Sequence, residues 1–188
     1  MCGTDAAAKE AAVVRFLHEH PEPARAASDH PALRGSPDAD WPRAPGHPAI
    51  PALLHALLDA TAAPAALPVL ENLLMDGTFR LSPAMPKALP FLLGLASVPD
   101  LPVRRDLIGL LIVAAELSAP VDPADEARSL LLGIDADHPE RAACRTVFRA
   151  HARAVRALLT DETIPDGLLG ADDRACLLAV AGPRGHFS

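Results

Sequence analysis

Residues 86–117 read PKALPFLLGLASVPDLPVRRDLIGLLIVAAEL, the most apolar part of the chain, and the predicted fold is built around them. The stretch divides into two helical segments on either side of residues 98–102, VPDLP, whose prolines interrupt a helix. Residues 107–115 are apolar on every side, so hydrophobic periodicity assigns this second helix no solvent-facing side. We therefore expect it to lie at the centre of the molecule, with other helices packed around it.

The composition favours an all-α fold for the 188 residues. Ala, Leu and Val dominate the apolar half of the chain, Tyr is absent, and there are five Phe and one Trp. Ala and Leu have high helix propensity, whereas the aromatic residues that favour strands are scarce. We predict about eight helices in a single domain with a short N-terminal extension.

The charge of the chain argues against two classes of partner. There are 17 basic and 24 acidic residues, which gives a formal net charge of −7. Phosphate backbones and anionic membranes attract basic surfaces, and single-stranded nucleic acids also need aromatic side chains on which bases stack. We therefore expect neither a nucleic acid nor a membrane as a partner.

Cysteine usage and hydropathy predict a cytoplasmic protein. Cys2, Cys144 and Cys176 are odd in number and have no recognisable spacing, which favours free thiols in a reducing compartment. The N-terminal residues lack the basic start and apolar run of a signal peptide. Charged residues interrupt every apolar run before the ~20 residues that a membrane span needs.

Proline, glycine and capping signals divide the chain into four regions. Residues 1–20 contain a helix expected from Ala6 to Glu19, with Asp5 as its cap. Residues 21–48 form a proline-rich loop, with a possible helical turn at 24–27, and Trp41 is expected to anchor this loop on the helical body. Residues 49–182 form the main helical domain, and residues 183–188 form a tail.

Helices in the main domain are bounded by proline at their starts and by glycine after their ends. Gly77 is expected directly after the second helix, and Gly133 after a short helix. The predicted helices lie at 51–60, at 64–76, on both sides of 98–102, from 122 or 123 to 132, at 139–159 and at 172–181.

An internal repeat relates the first two helix pairs of this domain. Residues 49–54, AIPALL, and residues 88–93, ALPFLL, agree in type at five of six positions, at an offset of 39 residues (89 minus 50). Each hexad leads to a second helix that opens with a proline, Pro64 or Pro102. Residues 154–159 give a fainter third copy. An offset near 40 is the helix-pair period of HEAT and armadillo arrays.

Residues 99–105, PDLPVRR, with the apolar helix that follows, resemble the HEAT-repeat pattern. In that pattern an acidic residue in the turn, here Asp100, precedes a Val-Arg pair, here Val103 and Arg104, that opens the second helix. The resemblance covers residues 86–117 and, less fully, residues 49–77, which lack the Asp and the Arg. It implies a short right-handed α-solenoid whose second helices line a concave side that binds another macromolecule.

Five arginines form a row along the predicted helix 139–159, which we call the Arg row. It consists of Arg141, Arg145, Arg149, Arg153 and Arg156. Because four of them are spaced by four residues, they share one face of the helix. In an acidic protein the row is a candidate site for an acidic protein partner, since guanidinium groups pair with carboxylates and phosphates. The alternative is a solvated face whose charge is balanced by neighbouring acids such as Glu140 and Asp135.

His151 falls within the apolar stripe of the same helix, between Phe148 and Val155. A histidine on such an inner face is either a base or ligand in a groove, or a core histidine that donates to a nearby carbonyl. The ordinary satisfaction of buried polar groups favours the core histidine.

No cofactor, metal site or catalytic residue is predicted. His18 and His20 would point to nearly opposite sides of a helix, and no further ligand lies near them at zinc spacing. Met1-Cys2-Gly3 alone lacks the longer motif and β-rich layers of amidotransferases that use an N-terminal cysteine nucleophile. Phosphate-binding loops, nucleophile elbows and H-E-x-x-H motifs are missing from the sequence.

These observations predict a small cytoplasmic adaptor that binds a protein partner through its concave face and the Arg row. The alternative is a HEAT-like enzyme or small-molecule-binding protein with a pocket around Arg149, His151 and Arg153. An enclosed pocket on which these side chains converge would favour the alternative, whereas an open groove would favour the adaptor.

Overall fold

The computed structural model describes residues 6–21, 30–165 and 167–182. This part of the chain forms nine α-helices, short 3-10 turns, and no β-structure beyond one isolated bridge. The all-α prediction is therefore confirmed. The helices are α1 (Ala6–Glu19), α2 (Ile50–Ala56), α3 (Ala63–Leu74), α4 (Met85–Ala96), α5 (Arg104–Ser118), α6 (Glu126–Leu132), α7 (Pro139–Ala150), α8 (Ala152–Leu159) and α9 (Ala171–Ala181).

Helix α5 lies at the centre, as the sequence predicts. It packs against α4, α7 and α9. Helix α4 also contacts α7 and α8, and α9 contacts the same two helices. Leu107, Leu111 and Ala114 of α5 are completely buried by these neighbours. Each fully buried leucine is about 1.5–3 kcal/mol more favourable than an exposed one, so these side chains contribute substantially to the stability of the core. Helix α2 packs on α3, whose other neighbour is α1.

One side of α5 is open, contrary to the prediction that its neighbours cover it on every side. Arg105 is exposed, Gly109 is partly exposed, and Val113 retains 38% exposure. These residues are spaced by four and so form one stripe along the helix. Because Gly109 and Val113 are apolar, hydrophobic patterning could not mark this side as solvent-facing.

The boundaries of α1 match the sequence prediction, whereas the end of α2 does not. Helix α1 begins and ends at the predicted residues, whereas its expected cap Asp5, the possible turn at 24–27 and the tail 183–188 lie outside the described residues. Helix α2 ends at Ala56, before the predicted residue 60. Beyond Ala56 the backbone N–H groups of Leu58 and Asp59 bond carbonyl groups three residues back, which is not α-helical spacing. The Oδ1 of Asp59 then accepts hydrogen bonds from the backbone N–H groups of Thr61 and Ala62, both at 2.8 Å, in the turn towards α3.

Helix α3 ends at Leu74, earlier than predicted. Met75 adopts an extended conformation and pairs with Leu81 in an antiparallel bridge, which prevents another helical turn. Gly77 therefore lies in the connecting loop, with φ of +137°, and does not directly follow the helix. Gly133, in contrast, directly follows α6 with φ of +73°, as predicted.

The helix pairs do not repeat at a constant interval. The first helices start at Ile50 and Met85, an offset of 35 residues (85 minus 50), whereas the second start at Ala63 and Arg104, an offset of 41 (104 minus 63). Pro51 stands at the start of α2, but Pro90, its counterpart in the hexads, lies inside α4. The hexads therefore do not occupy equivalent positions in their helices.

The predicted helix 139–159 is divided at His151 into α7 and α8. His151 has φ of −102° and ψ of 21°, outside the helical range. Hydrogen bonds of helical spacing continue through it, from His151 N to the Val147 carbonyl (2.9 Å) and from Val155 N to the His151 carbonyl (3.1 Å). No proline or glycine lies at this point, so the sequence did not indicate the break.

The proline-rich loop touches the helical body at Trp41. Its indole ring packs on Phe91 of α4, with ring centroids 6.0 Å apart, while Nε1 donates to the Ser36 carbonyl at 2.9 Å. Within the described ranges, no helix is both long enough and apolar enough to cross a bilayer.

Candidate interaction groove

An open groove of about 730 Å³ lies between α8 and α9. We call it the α8–α9 groove. Most of its surface is apolar, and Leu178 remains 45% exposed within it. Arg156 and Arg174 are the charged side chains among the described residues that line it. The full lining is Arg156, Leu159, Thr160, Arg174, Ala175, Leu178, Ala179 and Gly182.

These two arginines also hold the walls of the groove together. Arg156 of α8 donates from Nη2 to the Gly182 carbonyl after α9 (2.8 Å), and Arg174 of α9 donates from Nη1 to the Leu159 carbonyl at the end of α8 (2.6 Å). Carbonyl groups at a helix C-terminus lack intrahelical partners and attract cations, which explains both contacts. Because a guanidinium has five N–H donors, each arginine retains donors for a ligand.

Arg141, the first member of the Arg row, is only 1% exposed. Its guanidinium donates to the carbonyl oxygens of Leu132 and Gly133 at the end of α6, and lies 3.7 Å from the Asp135 carboxylate. A side chain this deeply buried cannot reach a partner. The Arg row is therefore not the continuous exposed face that both sequence interpretations assumed, because its first arginine caps another helix.

Arg145 is also engaged within the molecule. It donates from Nη1 to the Ser118 carbonyl at the end of α5 (2.6 Å) and from Nη2 to Asp135 (2.7 Å). Arg156 has the corresponding role at the end of α9. Three of the five arginines in the row thus satisfy helix C-termini, where positive charge is favourable.

Arg149 and Arg153 are the exposed members of the row. Neither side chain has a hydrogen-bond partner among the described residues. Arg149 lies beside the α8–α9 groove, since a Cβ atom added at Gly182 would lie 3.7 Å from its Cγ. Of these two exposed arginines, Arg149 therefore lies next to the groove.

His151 is partly exposed and lies at the α7–α8 break. Its ring makes no hydrogen bond to another described residue, so the expected bond to a carbonyl is not formed there. His151 does not line the α8–α9 groove. The side chains of Arg149, His151 and Arg153 do not converge on this cavity.

The described cysteines, Cys144 and Cys176, are free thiols. Burial, with the nearby Glu140 carboxylate, raises the pKa of Cys144 to about 12. Burial, with the carboxylates of Glu116 and Asp173, also raises the pKa of Cys176. Because the thiolate is the nucleophile, neither is suited to covalent catalysis at neutral pH. Cys2 lies outside the described residues.

A second cleft, of about 540 Å³, follows the open side of α5 towards α3. Glu71, Arg105 and Asp106 line it together with apolar side chains such as Val113. Burial raises the pKa of Glu71, and the neighbouring Asp106 raises it further. We call this the α3–α5 cleft; its lining has mixed charge, unlike that of the α8–α9 groove.

The described residues contain no group of three or more His, Cys, Asp or Glu side chains that could hold a metal ion. The ring of His20 packs on Phe16 with centroids 5.0 Å apart, whereas His18 is exposed.

Comparisons with protein-family models, with curated proteins and with solved structures found no match.

Sequence reasoning did not identify α9 as a wall of the candidate site. Arg174 and Leu178 both line the groove, but neither was singled out. The available signal was the adjacent pair Leu177 and Leu178, since neighbouring residues point to different sides of a helix. Leu177 is completely buried, which leaves Leu178 on the open side.

Proposed function

We propose that the chain is a non-catalytic interaction module that holds a helical segment of a protein partner in the α8–α9 groove. The supporting observation is an open, apolar groove whose two charged lining residues are arginines, in a protein of net charge −7. An amphipathic helix suits such a groove, because its apolar residues enter while its acidic residues face the arginines. Arg149 extends the positive charge beside the groove.

We also propose that residues 49–182 form a short right-handed HEAT-like stack. If α7 and α8 count as one first helix, the last two helix pairs are stacked, because α4 contacts α7 and α8 and α5 contacts α9. Arg104 at the start of α5 pairs with Asp161 in the turn of the next pair and donates to Thr163 (2.6 Å). This is an Asp–Arg contact between pairs, although its acid is Asp161 and not Asp100.

In such a stack the α8–α9 groove would lie in the last helix pair. The outer face of a terminal repeat is usually polar, because it faces water. The partly exposed Leu178 and the apolar lining therefore favour a groove that receives a further helix. The α3–α5 cleft would lie on the concave side, but its mixed charge makes it less suited to an acidic partner.

The alternative function, an enzyme or small-molecule-binding protein, has less support. Arg149, His151 and Arg153 line neither the α8–α9 groove nor the α3–α5 cleft. The raised pKa values of Cys144 and Cys176 disfavour a thiolate nucleophile. We also propose the cytoplasm as the location, for which free thiols are suited.

Affinity capture from cells that express the protein tests the proposed function. Tagged wild type is compared with Leu178→Asp, with Arg149→Glu/Arg153→Glu, and with the control Val14→Asp, which changes a 61% exposed valine on α1. Circular dichroism first establishes that all variants are folded. We expect the wild type and Val14→Asp to capture the same protein, and both Leu178→Asp and Arg149→Glu/Arg153→Glu to lose it. Equal capture by all four proteins would refute the proposal.

A further inference from the structure

We infer that the segment received by the α8–α9 groove is helix α6 of a second copy of this chain. The inference rests on the proposed function, because it names the partner of the same groove. Two features of the molecule support it. Helix α6 exposes apolar side chains within an acidic segment, and the α8–α9 groove has an apolar lining with arginines.

Helix α6 is the first feature, since none of its residues is buried. Leu130 is 93% exposed and Leu131 is 59% exposed, while Ile134, just beyond the helix, is 41% exposed. Isolated exposed apolar residues are ordinary, but three within five positions concentrate apolar surface at the end of one helix, which is typical of an interaction site. We call these three residues the α6 patch.

The α6 patch is held in place by its own anchors. Asp125 caps the first turn by accepting a hydrogen bond from the Arg128 N–H at 3.0 Å, and Arg141 binds the carbonyls at the other end. At Gly133, any added Cβ would lie 2.6 Å from Nε2 of His138. Because hydrogen bonds hold both ends of the helix, docking it requires less ordering than docking an unstructured segment.

The charge around the patch complements that of the groove. Besides Asp135, which already pairs with Arg145, the segment 121–137 has four acidic residues and one arginine. The groove presents Arg156 and Arg174, with Arg149 beside it. Aliphatic side chains would enter the apolar lining while carboxylates approach the guanidinium groups, an arrangement that favours both affinity and orientation.

This contact joins two different surfaces of the chain. Two copies can therefore exchange α6 in a reciprocal dimer, or each copy can offer its α6 patch to one neighbour and its groove to another in a chain or closed ring. A symmetric dimer in which α6 contacts α6 is a different arrangement. The two can be distinguished by mixing variants.

The test uses sedimentation velocity on the full chain over a wide concentration range. The patch variant is Leu130→Asp/Leu131→Asp, the groove variant is Leu178→Asp, and Val14→Asp is the control. All three sites are largely or partly exposed, so the variants are expected to fold. We expect the wild type and the control to form larger species as concentration rises. Each of the other two variants alone should associate at least ~10-fold more weakly, because docking would bury an unpaired charge.

The decisive measurement is an equimolar mixture of the patch and groove variants. The intact groove of one and the intact α6 patch of the other should form a 1:1 heterodimer that grows no further. A wild type that stays monomeric, or a mixture that stays monomeric while the wild type associates, would overturn the inference. Association lost only in the patch variant would indicate an α6–α6 contact and would overturn it as well.

A failure of the self-association inference can be distinguished from a failure of the proposed function. If the wild type is monomeric but Leu178→Asp still loses a captured protein, the groove binds another partner and only the self-association is wrong. If Leu178→Asp changes neither association nor capture, both proposals are wrong.

Discussion

Arg141 and Arg153 belong to one series of arginines spaced by four residues, but Arg141 is 1% exposed whereas Arg153 lies on the surface. Spacing alone could predict a shared helix face but not the elements that would cover it. The difference arises because Arg141 lies where α6 ends, and its guanidinium satisfies two carbonyl groups there. The contacts of Arg141, Arg145 and Arg156 with carbonyl groups at helix ends depend on how other elements pack, which the spacing does not describe.

Arg141→Ala should therefore lower the free energy of unfolding by about 2–4 kcal/mol, since a buried side chain is removed and two part-buried carbonyl groups lose their donor. Arg153→Ala, in the same row, should change it by no more than about 0.5 kcal/mol. Urea unfolding monitored through Trp41 fluorescence measures both. Equal effects of the two substitutions would contradict the division of the Arg row.

His47 should make stability depend on pH. Burial lowers its pKa below the usual 6.5, against the raising effects of the Pro42 carbonyl and the Asp76 carboxylate; the nearby Lys9 lowers it slightly further. The folded protein thus favours neutral His47, and the unfolded chain binds the proton more readily. The contribution of His47 to the free energy of unfolding should be fully present above about pH 6.5 and should decrease as the pH drops below it.

Urea unfolding at a series of pH values between 7.5 and about 5 measures this dependence. His47→Gln cannot titrate and should show a flatter profile in this window. His18→Gln, which changes an exposed histidine on α1, is the control and should retain the wild-type slope. A wild-type slope in His47→Gln would show that another group is responsible.

At the scale of elements, long apolar helices were predictable, and breaks without a proline or glycine were not. Residues 86–117 form α4 and α5 as expected, because their apolar pattern and the intervening prolines agree. The division at His151 and the early end of α3 at Leu74 depend on local contacts that no composition signal reported. The open side of α5 escaped prediction because its residues are apolar or small.

The two sides of α5 should respond differently to truncation. Leu111→Ala removes a completely buried side chain and should cost about 2–5 kcal/mol, since a cavity remains. Val113→Ala, on the open side, should cost under about 1 kcal/mol. Thermal and urea unfolding compare the two. Similar losses would mean that α5 is covered on both sides.

The turn between α8 and α9 should contribute to acid sensitivity. Hydrogen bonds from the Thr163 hydroxyl and backbone N–H, and then from Arg104, lower the pKa of Asp161 to about 2. Its contribution to stability should be present above pH 3.8, the ordinary value, and be lost as the pH falls towards 2.

Asp161→Asn should be less stable than the wild type at pH 7 and should have a flatter profile between pH 4 and about 2. Asp172→Asn, an exposed acid in the first turn of α9, is the matched control and should keep the wild-type profile. Chemical unfolding at each pH provides the measurement. A profile for Asp161→Asn that parallels the wild type would contradict the role of this turn.

For the molecule as a whole, the sequence predicted an all-α body around one central helix, and both features are present. The candidate site was only partly predictable. The Arg row includes Arg156 of α8, which lines one wall of the groove. The opposite wall, with Arg174 and Leu178, depends on how α9 packs against α8. Such a site is created by packing between distant segments, which residue patterns within one helix do not describe.

The claim that the α8–α9 groove is the interaction surface is tested most directly by site-specific photo-cross-linking. A benzoylphenylalanine residue replaces Leu178, Val113 or Val14, one position each in the groove, in the α3–α5 cleft and on α1, and cells expressing each protein are irradiated. We predict a covalent adduct from position 178 and none from positions 113 and 14. An adduct from position 113 alone, or none from position 178, would contradict the account.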